Sequence, residues 1–89
     1  MFSNYERRLL GDKYFIFIRE EEKFIEVMSK PTSHCWMVFK KESKVDKPIT
    51  LYHKHTRGTE YYHKQRDVYT VKQAIDTIKQ HDNYVLKGE

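Results

Sequence analysis

The sequence predicts a small α+β domain: an antiparallel sheet of four to five strands, a C-terminal helix packed on one face and a short N-terminal helix. Two observations carry this. Short β-rich runs at residues 14–18, 24–28, 34–39, 49–55 and 59–64 are separated by polar, charged or proline-containing connections. A later stretch has helical spacing, with Val71, Ile75 and Ile78 at i, i+4 and i+7 and Ala74 beside them. The 89 residues contain no internal repeat, low-complexity segment or linker, so one compact domain at 1–89 is expected.

Taken in order, Ser3 followed by Glu6 forms a capping-box pattern, and Gly11 closes the short helix it opens. Phe2, Tyr5 and Leu9 are its inward candidates. Residues 14–18 are apolar on both alternating faces, which suits a strand covered on both sides or a central strand with one aromatic face partly exposed. Residues 24–28 alternate and return from it. Pro31 breaks the chain into a loop, and residues 34–39 form a third strand with apolar residues on both faces. If the helix covers one face, Phe15, Phe17 or Trp36 remain on an apolar patch on the other. Residues 40–48 make a polar connection. Thr70 with Gln73 caps the last helix, which Asn83 is expected to stop near His81 or Asp82, leaving 84–86 as a last strand or packed tail.

Thirteen aromatic residues (seven Tyr, five Phe, one Trp) allow a modest core despite the low apolar share. Cys35 is the single cysteine, which excludes an internal disulfide and a cysteine-rich zinc site and fits a reducing compartment. The longest apolar runs are five residues, far short of a membrane span, and the first ten residues do not resemble a secretory signal. A cytoplasmic protein without membrane contact or cofactor is the expectation.

The charge is not evenly spread. Between residues 47 and 66 the cations are Lys47, Lys54, Arg57, Lys64 and Arg66 and the one anion is Glu60. The sum of +4 equals the net charge of the whole chain. This segment reads as two strands folded over Arg57-Gly58. With a two-residue turn, His53 faces Tyr62 and Tyr52 faces His63, so His53, His55, Glu60, Tyr62 and Lys64 share one surface and Tyr52, Lys54, Tyr61 and His63 the other. A one-residue slip reverses that assignment for one strand.

Two chemistries fit the hairpin. His53, His55 and Glu60 have a spacing that permits a three-ligand zinc site, but it lacks a fourth ligand or a known motif, so no metal is assigned. Nucleic acid is favoured: Lys54, Lys64, Arg57 and Arg66 suit phosphates, and Tyr52, Tyr61 and Tyr62 offer rings for stacking, with His55 and His63 between them. The expectation is a non-enzymatic binding protein whose hairpin contacts nucleic acid or an acidic protein surface. The alternative is an interaction or inhibitor module, or a homodimer through an uncovered sheet face.

Ser33-His34 ahead of the third strand, the strand running from Lys47 to His53, and the terminal helix together resemble HicA-type toxin ribonucleases. The resemblance implies a helix, three strands and a helix, with His34 as the catalytic residue. Thr32 stands where that pattern has glycine, and residues 57–69 have no counterpart in it. A ribonuclease using His34 with the hairpin histidines as acid and base is thus a further alternative. Cys35 cannot pair with His34 as a nucleophile, because neighbouring strand residues point to opposite faces.

Overall fold

The computed structural model describes residues 2–41, 45–58 and 61–88. In chain order they form α1 (Asn4–Leu10), β1 (Phe15–Glu20), β2 (Phe24–Ser29), β3 (Cys35–Lys40), β4 (Ile49–Lys54), β5 (His63–Val68) and α2 (Val71–Lys87). The strands make one antiparallel sheet in the order β1-β2-β3-β4-β5, each pairing with its chain neighbour. This is the expected α+β architecture, a sheet with a short N-terminal helix and a C-terminal helix packed against it.

Residues opposite one another on a ladder share a face, so the register separates the two sides of the sheet. Ile25, Val38 and Leu51 form one row across β2, β3 and β4; Val27, Trp36, His53 and His63 form the next, running on into β5. The apolar members of both rows are completely buried. Over them lie Val71, Ala74, Ile75 and Ile78 of α2, with Leu10 of α1 and Phe2 just ahead of that helix. The opposite face carries Phe24, Phe39, Glu26, Met37 and Tyr52, most of them half-buried.

Both helix starts follow the sequence. The Ser3 hydroxyl accepts from the Glu6 N–H while the Glu6 carboxylate accepts from the Ser3 N–H. Thr70 Oγ1 accepts from the Gln73 N–H, and the Gln73 side chain reaches back to the N–H of Tyr69. These contacts occupy N–H groups that the helix itself leaves unpaired.

Several expectations are corrected. Strand β1 is an edge strand, not a covered or central one: Phe15 is buried but Phe17 is 51% exposed. Trp36 does not remain on an open patch, because its face is the one the helix covers; the aromatics on the other side include Phe24, Phe39 and Tyr52. Tyr5 points outward, whereas Phe2 is buried and Leu9 packs against the core as expected, with Leu10 joining them. Helix α2 runs through Asn83 and residues 84–86 to Lys87, where Gly88 donates its N–H to the Tyr84 carbonyl. Asn83 therefore stops nothing, since tertiary bonds to Asp82 hold the helix past it.

The hairpin also differs. The ladder between β4 and β5 closes at His53 opposite His63, so the pairing stops short of the expected turn at Arg57 and Gly58. Arg57 and Gly58 do lie in a turn, but no described glycine has positive φ, which the two-residue type I′ turn requires. Val68, buried opposite Ile49, anchors the register from the core end, and an irregularity beside Leu51 and Tyr52 absorbs one extra residue. His63 consequently moves to the face of His53.

Candidate functional site

The five histidines of the chain converge at one end of the helix-covered face. Sheet geometry explains four of them. His53 lies opposite Trp36 on β3 and His63 on β5, so all three point toward α2. His34 and His55 each lie two residues from a member of that row, and alternation returns them to the same side. The fifth, His81, descends from α2. Ring centroids are 5.0 Å apart for His34 and His53, 4.4 Å for His53 and His81, 5.5 Å for His34 and His81, and 5.4 Å for His53 and His63. The buried Trp36 ring forms the floor, 4.2 Å from His53 and 5.1 Å from His81.

Two trios bring one nitrogen from each imidazole within 4.8 Å of the others: His34, His53 and His81, and His53, His55 and His63. His53 belongs to both. The first trio is inner, with His53 fully buried and its partners half-buried; in the second, His55 and His63 are exposed. His34 Nδ1 and His53 Nε2 share a hydrogen bond of 2.9 Å. His81 Nδ1 is buried and has no hydrogen-bond partner among the described residues. A buried polar nitrogen left bare is costly, and such atoms call for an explanation.

Behind the inner trio lies a polar network centred on Asp82, which is completely buried. Its carboxylate accepts from the Tyr14 hydroxyl at 2.5 Å, the Ser29 hydroxyl at 3.1 Å and the Thr32 hydroxyl at 2.8 Å. Thr32 Oγ1 in turn accepts from the His34 N–H, and the Trp36 indole donates to Ser29 Oγ. One carboxylate therefore joins α2, beside His81, to the loop that presents His34. Between them Ser33 adopts a left-handed φ of 62°, uncommon for a non-glycine residue, as the chain turns into β3.

Burial, followed by the surrounding imidazoles, pushes the His53 pKa down to about 3. Burial likewise lowers His34 and His81, against a weaker upward pull from Asp82. All three are therefore neutral near pH 7, the form in which imidazole ligates a metal. In a tetrahedral zinc site with Zn–N bonds of about 2.0–2.1 Å, ligand nitrogens lie about 3.3 Å apart, so small ring rotations would close either trio on an ion. Neither trio contains a carboxylate or thiolate.

The structure divides the residues that the sequence singled out. His55 and His63 join the cluster, and with Lys54 and Tyr61 they line a cleft of about 180 Å³ beside it. Arg57, Tyr61 and Arg66 are exposed. Tyr52, Lys54, Tyr62 and Lys64 belong to the other side of the sheet. There Tyr52 packs edge-on against Phe39, and the Lys54 ammonium sits 4.7 Å above the Tyr62 ring. The Tyr62 hydroxyl donates to Glu26 at 2.5 Å, and Lys64 pairs with Asp67 at 2.8 Å. Burial raises the Glu26 carboxyl, but the bonds from Tyr62 and Arg19 outweigh it and hold it below the usual range. Glu60, the carboxylate of the three-ligand set weighed from the sequence, lies outside the described residues.

Sequence reasoning paired His53 with His55 and joined His34 to the hairpin histidines only through the ribonuclease resemblance; it put His63 on the opposite surface from His53 and missed His81. One signal was available. Asp82 continues the apolar stripe 71-75-78, and a carboxylate on a buried stripe marks a polar site beneath the helix. Comparison with known families, curated proteins and solved structures finds no match for this chain.

Proposed function

We propose that this protein is a transition-metal-binding domain that holds a divalent ion such as Zn²⁺ on the inner trio His34, His53 and His81. The observation that carries the reading is the convergence of these three neutral imidazoles within 4.8 Å, one of them bearing a buried nitrogen without a partner. Imidazole suits zinc, copper, cobalt and nickel, and discriminates against magnesium and calcium, which prefer oxygen. The Asp82 network supports the reading by fixing the loop before His34 and the helix turn of His81, as outer-shell contacts do in metal sites. Three ligands leave a further coordination position for water or another molecule.

Acid–base ribonuclease chemistry at His34 and the hairpin histidines is the competing use of the same groups. It needs a protonated imidazole facing the substrate. Burial of His53 and its low pKa argue against that residue in such a role.

The test is titration of metal-free protein with Co²⁺, followed by the visible d–d absorption of a tetrahedral ion and its displacement by Zn²⁺. One equivalent is expected, with His53→Ala abolishing it. Zinc at a hundredfold excess over Kd should also raise unfolding stability by about 2.7 kcal/mol. A protein that takes up neither ion, with an unchanged melting temperature, would remove the proposal.

A further inference from the structure

We propose that the metal-loaded cluster takes, as its outward-facing ligand, a phosphate oxygen of a single-stranded nucleic acid. This rests on the metal reading above and adds the ligand class. The first argument is charge. A dication held by three neutral imidazoles keeps its full charge, whereas carboxylate or thiolate ligands would have cancelled part of it. Asp82 behind the trio offsets part of it, but that carboxylate is engaged by three hydroxyl donors, and residues 47–66 carry a formal surplus of +4. An anion is the ligand that such a position favours.

Shape is the second argument. The cleft of about 180 Å³ beside the inner trio is lined by Lys54, His55, Tyr61 and His63. His55 and His63 also belong to the outer trio through His53, so the cleft and the ion position adjoin. His55 and His63 can donate N–H groups to phosphate oxygens. The Tyr61 ring, 77% exposed, stands free for a base to stack on, which favours a single strand over a lone phosphate or a duplex. Exposed Arg57 lies on the same connection, and exposed Arg66 lies on β5.

The experiment is fluorescence anisotropy of a short fluorescein-labelled oligothymidylate at low salt. It compares EDTA-treated wild-type protein, the protein loaded with Zn²⁺, and the protein in Mg²⁺. Zinc loading should tighten binding by about tenfold or more, Mg²⁺ should not, and millimolar inorganic phosphate should reverse the gain. Tyr61→Ala should weaken the loaded form. His53→Ala with zinc should show no gain, which excludes simple zinc bridging; if that variant fails to fold, His81→Gln makes the same comparison. Cobalt uptake measured on the same preparation separates the two readings. Uptake with no change in oligonucleotide affinity overturns the phosphate proposal and leaves the metal reading standing. Absence of uptake overturns both. Displacement by polyglutamate but not by phosphate overturns it in favour of an acidic protein partner.

Discussion

Acid should destabilise this domain well before its carboxylates titrate. The perturbation is a fall in pH from 7 to 5 on metal-free protein. His53 has a folded pKa of about 3 against an ordinary 6.5. A group with a depressed folded pKa is protonated first in the unfolded chain, so the unfolded state binds more protons and stability falls as the pH falls from the unfolded toward the folded value. Over this interval the single His53 shift amounts to about 2 kcal/mol. His34 and His81 act in the same direction, because their pKa values are also lowered. The lowered carboxyls of Glu6 and Glu26 contribute a similar loss, but below the ordinary carboxylate range, so pH 5 to 7 reads the histidines. Against a total of roughly 5–15 kcal/mol for a domain, the loss is a large fraction. The assay is urea unfolding at each pH by fluorescence of Trp36, the single tryptophan and a fully buried one. Stability that is flat or rises between pH 7 and pH 5 would refute the reasoning. A His53→Gln variant that unfolds cooperatively should lose about one proton from the pH slope.

Other perturbations test the layers around the cluster. Asp82→Asn keeps the shape but replaces an acceptor of three hydroxyl bonds, and should cost about 1–3 kcal/mol by chemical denaturation. The same change should lower cobalt affinity, as loss of an outer-shell contact does. Tyr62→Phe removes the bond to Glu26 and should speed amide exchange at Tyr61, Tyr62 and His63 while leaving the β2–β3 ladder protected. Ile78→Ala, at a completely buried site under α2, should cost about 2–5 kcal/mol, visible as a lower urea midpoint at constant slope.

What could be read from the chain depended on whether the signal was local. Capping at Ser3 and Thr70 and the stripe through Val71, Ile75 and Ile78 lie within a few residues, and all three held. Which face the helix covers depends on long-range packing, so the patch expected around Trp36 was misplaced. The hairpin register depended on Val68, several residues beyond the apparent turn, and one step of slip separated His63 from His53. The end of α2 was misjudged because Asp82 finds its partners on β2 and its following loop, not near itself in sequence. The histidine cluster was hidden for the same reason: its members come from three strands or their flanks and from a helix, and become neighbours only when register and helix docking are both known.

The strictly sequential strand order has a kinetic consequence. Each ladder closes a short chain segment, so the sheet can grow hairpin by hairpin with little loop-closure entropy at each step. The bond from Tyr14 to Asp82, by contrast, spans 68 residues and forms only when the last helix docks beside the start of the first strand. His81 arrives with that helix, while the strand histidines are already aligned. A nascent sheet therefore presents an incomplete histidine cluster, and the cluster is completed by the same docking event that shuts water out of the core.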